Sequence, residues 1–118
     1  MSYDISFKVK AEGVDAYINV GECEANITWN VRDIITQSTG LAWENEANNG
    51  LCAEIVPQIA KGLFELQMHP EKYKPLEDKD GFGTVDGVQN FFWQIIKDWD
   101  KFKREYEQLA PVATFWIE

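Results

Sequence analysis

Histidine and cysteine are scarce in this chain: among 118 residues there is one histidine, His69, and only two thiols, Cys23 and Cys52. With so few, no spacing offers a Cys/His pair, a Ser/His/Asp set or a zinc-type ligand cluster, so no catalytic residue, metal or cofactor is expected. Two cysteines without a CxxC spacing also exclude a disulfide-built scaffold and point to a reduced chain. No apolar run approaches the roughly 18 residues that a membrane span needs. Met1-Ser2-Tyr3-Asp4 has neither a basic leader nor an apolar stretch after it, so no secretory signal is read, and the sequon Asn26-Ile27-Thr28 counts as a chance match. Basic residues are in deficit too: 11 Lys and Arg against 20 Asp and Glu leave a net charge of −9. That field repels nucleic acid and anionic membranes and favours basic protein surfaces, or simply keeps the protein in solution.

What the chain has in quantity is apolar and aromatic surface. Hydrophobic residues make up 45% of it, with five Trp and seven Phe, which is the composition of a folded globule rather than a disordered segment. The length suits one domain spanning residues 1–118. Nothing in it repeats, and no linker divides it.

Its strongest periodic signal lies in Gly87–Gln108. Val88, Phe91, Phe92, Ile95, Ile96, Trp99 and Phe102 recur at helical spacing, while Gln89, Asn90, Gln94, Lys97, Asp98, Lys101 and Glu105 take the other face. Earlier, Ile5, Phe7, Val9 and Ala11 alternate with polar residues as in a half-buried strand. Glu12-Gly13-Val14-Asp15 turns the chain into a second strand around Ala16–Val20. From Asn26 to Ser38 the period becomes helical, with Ile27, Val31, Ile34 and Ile35 on one face, Asn26 or Thr28 as N-cap and Gly40 as the terminating glycine. Leu41–Gly50 reads as a loop. Cys52–Met68 reads as a helix with Pro57 near its first turn, ended by His69-Pro70, and Ala113–Ile117 as a closing strand. The order β-β-α-α-α-β predicts an α+β fold: a small antiparallel three-stranded sheet with helices packed on one face.

Asp78-Lys79-Asp80-Gly81-Phe82-Gly83-Thr84-Val85-Asp86-Gly87 is the loop with the most site-like chemistry. Laid on a calcium loop, it places Phe82 and Gln89 where two essential oxygen ligands belong, so no calcium site is expected. Its glycines precede a helix, as in anion-binding loops, but the Lys-Ser/Thr pair of a phosphate-binding P-loop is missing. Trp29 shares the polar face of its helix with Arg32, which invites either a neighbouring loop or a ligand.

Several stretches resemble a family of small, mostly uncharacterised proteins encoded by bacteriophages and prophages. They are Tyr17-Ile18-Asn19-Val20-Gly21, Asn26-Ile27-Thr28-Trp29-Asn30, His69-Pro70-Glu71-Lys72-Tyr73, Gly81–Gly87 and Ala113-Thr114-Phe115-Trp116-Ile117. In that family the glycine loop looks like Asn-Gly-Trp-Gly, where this chain has Asp80 and Phe82 in place of Asn and Trp. The resemblance implies a viral or mobile-element origin and the cytoplasm of an infected bacterium; it brings no catalytic role. Small phage accessory proteins commonly oppose host defence. Two forms of that role are expected alternatives. In the first, a pocket edged by Trp29, Arg32, Trp43, Gly81, Phe82, Gly83 and Thr84 binds a small nucleotide-like signal. In the second, the acidic surface inhibits a basic host protein as a nucleic-acid mimic. A structural phage component is a third reading. Direct nucleic-acid or membrane binding is not expected, whereas a homo-oligomer is compatible with all three.

Overall fold

The computed structural model describes residues 2–13, 15–21, 23–79, 81 and 83–118. The fold is α+β, as its sequence pattern predicts, with one antiparallel sheet packed by helices. The elements are β1 (Ser2–Lys10), β2 (Tyr17–Asn19), β3 (Asn26–Thr28), α1 (Arg32–Thr39), β4 (Ala47–Leu51), α2 (Cys52–Met68), α3 (Pro70–Tyr73), α4 (Val85–Glu105) and β5 (Thr114–Ile117). Single 3-10 turns cover Trp29–Val31, Lys74–Leu76 and Ala110–Val112. The sheet order is β2-β1-β5-β4, with β3 also paired to β1.

Two of these strands lie where the sequence pattern predicts a helix start and a loop. Asn26–Thr28 pairs with Ser2–Asp4 instead of opening a helix, and the helical ladder starts only at Trp29. Ile27 fits either pattern locally, and the open edge of β1 decides for strand. Thr28 precedes the turn but makes no side-chain cap bond; its hydroxyl donates instead to the Asn30 side chain. Ala47–Leu51 is rich in Asn and Gly, poor strand formers, yet it pairs with β5 through a bulge between Asn48 and Leu51. A third difference concerns Pro57. Because α2 starts at Cys52, Pro57 falls inside the helix rather than in its first turn, where its ring costs one backbone bond. Gly40, by contrast, ends α1 in the left-handed conformation expected of it (φ 73°).

β2 and β3 run along the same edge of β1 as two halves of one interrupted strand. β2 pairs with Lys8–Lys10 and β3 with Ser2–Asp4, and the segment between them leaves the sheet. Asp98 of α4 holds that segment, accepting from the Glu24 N–H (2.9 Å) and from the Cys23 thiol. Burial first, then this carboxylate, keeps the Cys23 thiol protonated well above its ordinary range, and burial alone raises Cys52 to about 12. Both cysteines are free.

The core lies between the sheet and the helices. From β1 it takes Tyr3, Ile5 and Phe7, from β5 Phe115 and Ile117, and from α4 Val88, Phe91, Phe92, Ile95, Trp99 and Phe102. Ile96 is only half-buried. Strand alternation predicts Thr114 outward, but it is buried, because its hydroxyl donates to the Lys8 carbonyl (2.7 Å) and accepts from Trp116 Nε1 (2.9 Å). No helix among the described residues is long and apolar enough to cross a membrane.

A buried tyrosine ties α3 to α2: Tyr73 Oη donates to Glu65 Oε1 at 2.9 Å. Burial, and then Glu65, pushes Tyr73 up to about 12, while the Tyr73 bond, ahead of Lys72, holds Glu65 below the usual carboxylate range. The depressed Glu65 contributes stability at pH values above its unfolded value of about 4.3, lost as pH falls through the lower folded value. The raised Tyr73 contributes below about 10, and that part is lost as pH rises toward 12. Tyr73→Phe should therefore flatten both limbs of a urea-unfolding stability profile against pH. Limbs identical to those of the unmodified chain would show that the pair does no such work.

Candidate functional site

Three of the residues singled out in the sequence converge. The 3-10 turn after β3 and the start of α1 carry Trp29 and Arg32, and the segment between α1 and β4 carries Trp43. Because β3 pairs with the first residues of β1, Trp29 and Tyr3 come together, with ring centroids 6.1 Å apart and planes 31° apart. The Trp29 indole N–H donates to the Ser2 carbonyl at 2.8 Å, which fixes a ring that is otherwise 41% exposed. Trp43 stands edge-on to Tyr3 (5.9 Å, 85°) and packs on Phe91 and Phe115 beneath.

Together with Glu44 and Asn45, these side chains line a pocket of about 360 Å³. Its size falls within the range of small-molecule sites. Arg32 is exposed at its edge, and among the described residues no carboxylate lies within 4.0 Å of the guanidinium. Its charge reaches Tyr3, lowering the phenol's pKa against the larger upward push of burial. Trp43 is only 2% exposed, and its Nε1 is the one buried side-chain polar atom without a hydrogen-bond partner among the described residues. An unmet buried donor costs about 1–3 kcal/mol, so it is a feature that calls for a reason. In the sequence Trp43 stands among Glu and Asn in a stretch that reads as loop, where nothing marks it as part of the core.

The glycine loop is placed differently. Gly83 (φ +78°) packs against the 3-10 turn: a Cβ there would lie 2.6 Å from Asn30 Oδ1 and 2.8 Å from Val31 Cγ1. Gly81 also has positive φ (+82°) but faces open space. Thr84 is the N-cap of α4, its hydroxyl accepting from the Gly87 N–H at 3.0 Å, while Glu77 Oε2 accepts from the Val85 N–H at 2.6 Å. Two of the donors an anion would use, the Val85 and Gly87 N–H groups, are thus engaged by the chain's own side chains, and a phosphate would meet the Glu77 carboxylate. Gly81, Gly83 and Thr84 do not line the pocket, and Phe82 lies outside the described residues.

The calcium reading of this loop can be tested directly. Asp78 accepts from Asn30 Nδ2 (3.2 Å) and from the Lys79 N–H, and Gln89, at the closing position, donates toward the Leu66 carbonyl of α2. Closing a cage would break these bonds and still leave it without a bidentate carboxylate. Millimolar calcium should therefore leave the melting temperature within a degree or two, and a larger rise would overturn this reading.

A wider cleft of about 800 Å³ opens where the strand beside β1 is interrupted, lined by Ile5, Asn19, Cys23, Glu24, Lys101 and Glu105 among others. Its charged lining is two carboxylates, Glu24 and Glu105, against one ammonium, Lys101. His69 lies apart from both cavities just described, exposed at the end of α2. Comparison with known proteins finds no matching family model and no significant match to any curated protein or solved structure.

Proposed function

We propose that this protein binds and sequesters a small nucleotide-like ligand in the pocket between Tyr3, Trp29, Arg32 and Trp43, as a phage or prophage accessory protein that blunts a nucleotide-signalled defence of its bacterial host. The observation that carries the reading is the Trp43 indole N–H, buried and without a partner among the described residues, in a residue that lines a pocket edged by the Arg32 guanidinium. A ligand whose entry uncovers that N–H and supplies it one acceptor would recover the cost of its burial. The exposed Trp29 ring suits a base, and Arg32 suits a phosphate, which it can grip with two parallel N–H donors. The role is binding without turnover, since these groups stack and donate hydrogen bonds but include no nucleophile paired with a base.

The test is thermal unfolding across a panel of cyclic nucleotides and ADP-ribose derivatives. At a hundred-fold excess over its dissociation constant, a one-site ligand adds about 2.7 kcal/mol to folding. Arg32→Ala and Trp43→Phe should each abolish the shift. The second replacement keeps a six-membered aromatic ring in the core and removes the indole donor together with the pyrrole part of the ring, so circular dichroism of the unliganded variant is the check that it is folded. No shift with any compound would sink the proposal. If a basic host protein were then recovered by pull-down, with association slowed by Glu44→Gln/Glu46→Gln and by salt, the acidic-inhibitor reading would replace it.

A further inference from the structure

Helix α2 is apolar on both sides. Cys52, Val56, Ile59 and Leu66 face the core. The opposite stripe, Ala53, Pro57, Ala60, Phe64, Gln67 and Met68, is exposed and carries no charge. Phe64 is 63% and Met68 58% exposed, and beside them Trp93 of α4 is 51% exposed. Leu63 and Gln67 form a shallow groove with Gln89, Asn90 and Trp93, again without a charged residue. Exposed Glu54, Gln58 and Lys61 border the stripe as a polar margin, and clustered exposed aromatics and Met with few charges mark an interface core.

We infer that this face is covered by a second copy of the same chain, packed about a two-fold axis with the two α2 helices antiparallel. Three observations select this occupant. First, on a molecule of net charge −9 a like-charged partner is admitted only where the surface is free of carboxylates, and this stripe is. Second, the stripe is graded in size, small at Ala53, Pro57 and Ala60 and large at Phe64 and Met68. Antiparallel pairing centred between Ala60 and Lys61 lays each Phe64 against Pro57 of the second copy, each Met68 against Ala53 and each Lys61 beside Ala60. The match repeats in both directions, as a two-fold contact requires. Third, α4 runs antiparallel beside α2, with Gln89 reaching Leu66 and Phe92 against Gly62. The same axis therefore sets Asp86 at the start of one α4 opposite Lys103 at the end of the other, next to the Arg104–Asp100 ion pair (3.1 Å), and Lys97 opposite Trp93. Opposite charges and opposed helix dipoles meet at the rim. This contact is independent of the nucleotide pocket, which lies on other elements.

The experiment is sedimentation equilibrium of the purified chain over a broad concentration range, with Phe64→Glu as the probe. The expected species has about twice the 13.6 kDa chain mass. Phe64→Glu should weaken self-association roughly 30-fold or more, as loss of a central interface anchor does, and leave circular dichroism unchanged because the side chain is exposed. A short bis-maleimide should join Ala60→Cys chains to each other efficiently, and should not join the unmodified protein, whose Cys52 is buried and Cys23 half-buried. The inference is overturned by a monomer at the highest attainable concentration, by a dimer that survives Phe64→Glu, or by failure of the Ala60→Cys chains to cross-link.

Discussion

Phe92→Ala should cost the fold about 3–5 kcal/mol, a large share of the roughly 5–15 kcal/mol by which a domain of this size is stable. Phe92 is fully buried on α4, beside Phe91, with its ring edge over Gly62 of α2. Truncation removes the packing of the ring and leaves a cavity that three helices would have to move to fill, because α1 reaches the same point through Ser38 and Thr39. Urea unfolding at constant m-value is the measurement. A loss below about 1 kcal/mol would mean that Phe92 does not sit at the helical junction.

The second large effect is expected at Gly62, where the backbone needs no positive φ and the glycine is there for space. A Cβ on residue 62 would stand 2.5 Å from Thr39 Cγ2 and 3.0 Å from Phe92 Cε2, both in buried side chains. Thr39 cannot swing aside cheaply, since its hydroxyl donates to the Ile35 carbonyl (2.7 Å) and accepts from the Leu41 N–H (3.1 Å). Gly62→Val should therefore destabilise by about 1–3 kcal/mol, toward the upper end, although valine is intrinsically the better helix former. Thr39→Ser keeps both hydrogen bonds and deletes the offending methyl. In that background Gly62→Ala should cost less than it does alone, with a coupling of about 0.5–3 kcal/mol. Additive losses would refute the steric account.

These two sites show where sequence is informative. The α4 stripe is readable because seven apolar residues keep one period for more than three turns, and no local alternative competes. The terminal strand is readable for the same reason in period two. Gly62, by contrast, is an isolated glycine in a helical pattern, and only the crossing of α1 and α4 over it explains the choice. β3 and β4 are hidden because their residues have weak or ambiguous preferences and become strands only when β1 and β5 present unpaired edges. For the candidate site, the grouping of Trp29, Arg32 and Trp43 follows from chemistry, but the glycine loop joins them on composition alone. Its glycines serve instead to pass a 3-10 turn closely and to deliver Thr84 as a cap. The orphan N–H of Trp43 could not be anticipated, because satisfaction of a donor is a property of its surroundings.

The position of β1 has a consequence for the birth of the protein. Its Ile5–Lys8 segment pairs with Ile117–Thr114, and the Thr114 hydroxyl reaches the Lys8 carbonyl across 106 residues of chain. During synthesis β1 must wait for that neighbour. At about 5–20 residues per second the delay is roughly 5–20 s, much longer than a hairpin needs to form. Throughout that interval Ile5 and Phe7 have no lasting cover and one backbone edge of β1 is unpaired, so the nascent chain is at its most adhesive before β5 emerges. Folding of the complete chain should be governed by the same long closure, slow for a protein with so much helix, because the central ladder forms only when the loop between β1 and β5 has been closed.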